Sequence, residues 1–390
     1  MSNKKVLSIV YNELTNDNRV INQAESLSQN GYNVTLLGIQ IDSSLPLNEV
    51  SNGVNIIRVP LTYRNPLIYR IPFLLFYYRN LSLFFIYLKI ALSNFDIIHC
   101  HDLNTLQFGV RAKFLKPSKL KLIYDAHEYE TQRNGLHGWR WTYVKLKERF
   151  LIKFCDRVIT VSPTIAEEYV RLYGIEKPEV ILNCPILRTE GVIKKDLFRE
   201  HFGIPASKKI FLYQGYLYPG RGIEVILEAF DRLNLADGVL VFMGEGTLTD
   251  EIKRHKKYGE SVFVHPFVSG EVLLGYTSSA DCGIAFIEDI SLSDRYCLPN
   301  KLFEYIAAGL PVISSGLPDL KKFINTYKVG TAADSNDVEG FIQAFNNLPN
   351  LDSPELARHI LNTRALFNWG TQEKILLELY AIQSKGKHHD

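Results

Sequence analysis

The sequence predicts two doubly wound α/β domains in tandem. Short apolar runs alternate with amphipathic segments along the whole 390-residue chain. The runs are nearly continuous in their apolar character, as strands covered on both faces of a parallel sheet require. After Asn183-Cys184-Pro185 the alternation starts afresh.

Residues 6–11 form the first run, which ends at Asn12-Glu13. It is too short for a signal-peptide core and reads as a first strand. Over 17–30, Val20, Ile21, Ala24 and Leu27 fall on one helical face, with Asp17 or Asn16 as N-cap. Further strands are expected at 34–38, 55–59, 97–101, 122–125 and 158–162. Residues 186–207 are mixed and charged and read as a linker between a domain at 1–185 and another at 208–365. The second set of strands is expected at 210–213, 239–243, 262–265, 282–286 and 311–314. A last segment, 366–390, carries a helix over 371–383 with Leu376, Leu377, Leu379 and Tyr380 on its apolar face.

The chain is 46% hydrophobic and 22% charged, as a packed protein is. A net charge of +2 gives no reason to expect nucleic acid as a partner. Five scattered cysteines without a CxxC read as buried thiols in a reducing, cytoplasmic setting.

Ligands of doubly wound sheets bind at the carboxyl ends of strands. Two segments there carry chemistry. YQGYLYPGRG (213–222) leaves a strand and opens a helix. Its glycines allow close backbone approach, and Arg221 between two of them suits a diphosphate. The plain alternative is an exposed arginine in an ordinary loop. In PNKLFEYIAAGLPVI (299–313), Pro299 suits a first helical turn, and Asn300, Lys301 and Glu304 share a face. That face suits a diphosphate beside the cation and sugar hydroxyls beside the carboxylate. A surface ion pair is the bland alternative.

PNKLFEYIAAGLPVI resembles the donor-binding cassette of glycosyltransferase family 4, whose fold is GT-B. The likeness extends to YQGYLYPGRG, to Met243-Gly244-Glu245-Gly246, and to His265-Pro266-Phe267-Val268 with the helix behind it. DIIHCHD (96–102), YDAHE (124–128) and VITVS (158–162) resemble the family's N-terminal domain. The resemblance implies transfer of a sugar from a nucleotide-diphosphate donor to an acceptor hydroxyl, with retention and without a metal or other cofactor. It implies that Arg221 and Lys301 neutralise the diphosphate, Glu304 binds ribose, the backbone near Val268 holds the base, and Asn300 helps cradle phosphate. Gly215, Tyr216, Glu245 and Leu298 would complete the donor site. His127 would meet the transferred sugar across a cleft between the domains, with Asn18, Arg19, Asp102 and Glu128 on the acceptor side. The final helix would cross back to the first domain near Trp369. The chain departs from the family at three places: Tyr296 stands where a second glutamate is common, Tyr216 where arginine is common, and residues 12–19 replace a glycine-rich loop. Asp294 or a backbone amide is the expected substitute for the missing glutamate.

Residues 50–124 carry ten basic side chains and two acidic ones. Within them, 71–92 is rich in Phe, Tyr, Leu and Ile, and Arg79 and Lys89 break it into apolar runs too short to span a bilayer. It reads as an interfacial helix on an anionic membrane, with a helix packed on its own sheet as the alternative. A glycan or polyprenyl-diphosphate-linked acceptor would suit such a surface. His99 and His101 alternate onto one side of their strand, where core packing or cleft lining is expected ahead of a metal site, and no metal site is assigned. A sugar-nucleotide epimerase of the same fold and a non-catalytic nucleotide-sugar-binding subunit are the competing functions. A nicotinamide enzyme is disfavoured, because no GxGxxG follows the first strand.

Overall fold

The computed structural model describes residues 4–15, 17–60, 87, 89–90, 92–116, 120–187, 194–233 and 235–382. They form two compact units. The first comprises Met1–Thr131, Gly135–Ile181 and Glu373–Asp390, the second Gln132–Asn134 and Leu182–Gln372.

In chain order the first unit contains β1 (Lys5–Ile9), α1 (Asn18–Gln29), β2 (Asn33–Gln40), β3 (Asn48–Ser51) and β4 (Val54–Pro60). It continues with β5 (Ile97–His101), α2 (Asp102–Leu115), β6 (Lys121–Asp125), α3 (Gly138–Leu151), β7 (Arg157–Thr160), α4 (Pro163–Tyr173) and β8 (Glu179–Val180). The sheet runs β3-β4-β2-β1-β5-β6-β7-β8. Its pairings are parallel except β3–β4. The chain moves outward from β1 on one side and returns to build the other side from β5. The switch point therefore lies between β1 and β5, where their carboxyl ends form a crevice. Asp17 caps α1 by accepting from Val20 N, and Ser162 caps α4 by accepting from Ile165 N.

The second unit contains α5 (Leu197–Phe202), β9 (Lys209–Gln214), α6 (Ile223–Leu233), β10 (Gly238–Met243), α7 (Thr249–Lys253), β11 (Val262–His265) and α8 (Gly270–Thr277). Then follow β12 (Cys282–Ala285), α9 (Leu292–Arg295), α10 (Asn300–Ala307), β13 (Val312–Ser314), α11 (Pro318–Tyr327), β14 (Gly330–Ala332), α12 (Val338–Asn346) and α13 (Pro354–Leu366). Its all-parallel sheet runs β11-β10-β9-β12-β13-β14, with the switch point between β9 and β12. One face is filled by Tyr213, Phe242, Ile284, Phe286 and Phe341, all buried. The last helix, α14 (Trp369–Ile382), belongs to the first unit from Glu373 onward. There the hydroxyl of buried Tyr380 lies 2.9 Å from His99 Nδ1.

Three expectations change. The stretch read as a linker holds α5, packed onto the second unit. Phe198 is buried beside Tyr276 and His265, and Arg199 pairs with Asp281 at 2.9 Å. Strands β3, β8 and β14 were not expected. All three lie at sheet edges, where half-covered strands need no apolar run. The interfacial helix read over 71–92 lies outside the described residues, except Tyr87, Lys89, Ile90 and Leu92. At Tyr87 packing prevails: the side chain is buried, its hydroxyl donates to Val10 O, and its ring lies 5.0 Å from Phe108.

Candidate active site

The strongest constellation of the second unit gathers at the end of β9, beside the switch point. The loop 215–222 turns through Gly215, Gly220 and Gly222, all at positive φ. The loop after β10 lies on it backbone to backbone, with Gly215 N donating to Met243 O and Leu217 N to Glu245 O. A Cβ at Gly244 would come 1.9 Å from Gly215 O, and one at Gly246 2.1 Å from Leu217 O. Glycine is required here by close approach, whatever binds above.

Helix α10 brings Lys301 and Glu304 to this loop. Buried Tyr305 fixes the helix, accepting from Gln214 N and donating to Leu212 O at 3.0 Å. Its ring fills the space a Cβ on Gly283 would need. Lys301 Nζ sits 3.5 Å from the centroid of the Tyr213 ring. Desolvation, then the charge of Arg221, push the half-buried ammonium down to about 7. Glu304 accepts a short hydrogen bond from Gln214 Nε2, whose Oε1 in turn accepts from Thr277 Oγ1. Burial raises the Glu304 pKa, outweighing the opposite effects of Gln214 and Lys301. Arg221 Nη1 lies 3.7 Å from Asp294 Oδ1, so the carboxylate near the position of Tyr296 faces the loop's arginine. Asn300 is exposed at the start of α10, where its Oδ1 accepts from Asn183 Nδ2. Tyr216 and Glu245 are exposed at the ends of β9 and β10, Val268 is half-buried in the loop after β11, and Leu298 is buried ahead of α10.

The first unit assembles its own cluster at the ends of β5 and β6. His127 Nε2 shares a hydrogen bond with His101 Nδ1 at 3.0 Å, and its Nδ1 lies 3.8 Å from Asp102 Oδ1. Asp102 adopts positive φ, 61°, at the turn into α2. Glu128 is half-buried next to His127, and Asn18 is exposed at the start of α1. Arg19, expected on the acceptor side, is turned away from solvent. It is buried, donating through Nη2 and Nε to both oxygens of Asp125 and through Nη1 to Ile181 O. Burial alone would raise the Asp125 pKa, but Arg19 and the neighbouring imidazoles hold it well below the usual range.

His99, His101 and Asp125 present ligand atoms within 4.8 Å of one another. Their surroundings favour a hydrogen-bond network over a cation. Arg19 and Gln23 already occupy the Asp125 oxygens, and His101 Nε2 is bonded to Ser8 Oγ. Sequence reasoning missed Gln214, Thr277, Asp125 and His101 as partners. Gln214, Asp125 and His101 lie in the motifs quoted above, whereas Thr277 carried no local signal.

Residues 17–184 match the family described as Glycosyltransferase Family 4, and residues 208–350 match Glycosyl transferases group 1. The chain belongs to glycosyltransferase family 4. An uncharacterised glycosyltransferase of Methanocaldococcus jannaschii is 27% identical over 77% of this chain and 76% of its own. Sucrose-phosphate synthase from Thermosynechococcus elongatus superposes at a TM-score of 0.77, with 19% identity over 98% of this chain and 99% of its own. The Anabaena protein HepE, solved with UDP-glucose, gives 0.72 at 13% identity over 97% of this chain and 99% of its own. These superpositions establish a GT-B fold for this glycosyltransferase. Among its described residues no helix is long and apolar enough to cross a membrane.

Proposed function

We propose that this glycosyltransferase takes a hexosyl or N-acetylhexosaminyl group from a nucleotide-diphosphate donor, UDP-linked in the first instance. It passes the group, with retention and without a metal, to a hydroxyl of a glycan or polyprenyl-diphosphate-linked acceptor in cell-surface polysaccharide synthesis. The observation that carries the reading is the pair of cations, Lys301 and Arg221, at a glycine-lined loop beside the switch point. A desolvated ammonium with no carboxylate bonded to it among the described residues is poised for an anion. As the donor bond breaks, the diphosphate gains charge, and these cations stabilise it as it leaves. Glu304, with Gln214 holding one oxygen, accepts from ribose hydroxyls. The backbone at Glu245 and Val268 lines the base, and Gly215, Tyr216, Leu298 and Asn300 line the phosphates. In the first unit His127, supported by His101 and Asp102, serves the transferred sugar, with Asn18 and Glu128 on the acceptor side. Arg19 acts one step back, by fixing Asp125.

Thermal unfolding with UDP, GDP, ADP and dTDP, on the wild type and on Lys301→Ala, tests this. A ligand at about 100 times its Kd stabilises the folded state by about 2.7 kcal/mol. A rise with one nucleotide that disappears in Lys301→Ala is expected. No rise with any nucleotide, in folded wild-type protein, rejects the donor site.

A further inference from the structure

Helix α3 turns an unusual face to solvent. Trp139, Tyr143, Leu146 and Phe150 are 76%, 59%, 61% and 60% exposed. At 3.6 residues per turn these positions fall within an arc of roughly 60°. The stripe continues through Phe154, whose ring lies 5.3 Å from Phe150 and 4.8 Å from exposed Phe114 on α2. A small apolar pocket opens there, lined by Val110, Lys113, Phe114 and Phe154. A contiguous exposed apolar surface of this kind marks an interaction site.

The stripe cannot turn inward, because the opposite face of α3 is anchored. Buried Glu148 accepts from the hydroxyls of Tyr124 (2.7 Å), Tyr169 (2.9 Å) and Tyr173 (2.5 Å). Glu148 is the one acidic residue of α3. Of the remaining charges, Arg140 and Arg149 are exposed and flank the stripe on opposite sides, Lys145 and Lys147 are half-buried beside it, and exposed Lys153 follows it. Arg140 and Lys145 lean over the indoles of Trp139 and Trp141.

We propose that this face of α3 docks on an anionic lipid bilayer. Aromatic and leucine side chains enter the headgroup boundary while the flanking cations meet lipid phosphates. Charge decides against a second copy of the chain. A two-fold contact sets the same patch against itself, and these cations would face one another. The assignment stands on α3 and is independent of the donor site. It is distinct from the membrane contact expected at 71–92.

The full chain, without nucleotide, is sedimented with vesicles of phosphatidylcholine alone or mixed with phosphatidylglycerol. Three proteins are compared: the wild type, Trp139→Ser/Phe150→Ser and Arg140→Glu/Arg149→Glu. Wild type is expected to bind the anionic vesicles at least about tenfold better than the neutral ones, and both variants to lose most of that binding. All three should keep their melting temperature and their response to nucleotide. Three outcomes overturn the proposal. One is no preference of the wild type for anionic vesicles. Another is undiminished binding by the serine variant, which would put the contact elsewhere in the chain. The third is self-association of the wild type that the serine variant abolishes, without vesicle binding.

Discussion

Lys301 carries a prediction that depends on the sign of its shift. Its folded-state pKa of about 7 lies below the ordinary 10.5. Between those values the unfolded chain holds the proton and the empty folded chain does not. This group therefore makes stability rise with pH across that window. A bound diphosphate would restore the charge, so nucleotide binding near pH 8 should take up a proton, up to about one per site. Calorimetry in buffers of different ionisation enthalpy measures that uptake, and Lys301→Met should abolish it. Binding with no proton uptake would show that the ammonium does not meet the phosphates. Gln214 is the second residue-scale test. Gln214→Leu strips Glu304 and Thr277 of their common partner and should weaken nucleotide binding by about 1–3 kcal/mol, read as a rise in Kd.

Among the elements, α10 and α3 are held by buried polar anchors. A Cβ at Gly283 would lie 2.3 Å from the Tyr305 ring, so Gly283→Ala should displace α10. We expect it to cost about 1–3 kcal/mol in denaturant unfolding and to reduce the thermal response to nucleotide. Helix α3 depends on Glu148. Replacing it with alanine leaves three buried tyrosine hydroxyls without their acceptor, a loss of about 3 kcal/mol or more by the same measurement. If Glu148→Ala unfolds like the wild type, the tyrosines do not fix the helix.

At the scale of the molecule, the first unit is tied together by Arg19 and Asp125. The pair links α1, β6 and the carbonyl of Ile181, and breaking a buried pair of this kind costs about 3–5 kcal/mol. Arg19→Met should lower the melting temperature of the first unit accordingly. The depressed Asp125 pKa adds a pH signature. Its contribution is complete above the ordinary aspartate range and is lost as the pH falls through the lower folded value. Acid unfolding should begin at higher pH in the variant, and identical acid midpoints would contradict the linkage.

Much of this architecture was legible in the chain. Parallel strands buried on both faces must be apolar along their length, and so β1, β5, β9, β10 and β12 stood out as runs. The glycine loop and the Lys301–Glu304 helix were readable because the roles of both depend on short spacings, a few residues apart in one turn or loop. Edge strands and α5 escaped, since a half-covered element needs no periodic signal. The long-range partners escaped for a different reason. Arg19 and Asp125 are 106 residues apart, and Glu304 and Gln214 are 90 apart. Nothing local in either member indicates the other. The sequence by itself determined the two sheets, the loops that end them and the residue types at the candidate site. Only the tertiary structure decided that Arg19 is consumed in a buried pair, that Gln214 holds Glu304, and that α3 presents its aromatic stripe outward. Those outcomes depend on which side chains fill the space across the sheet, and the fold alone sets that.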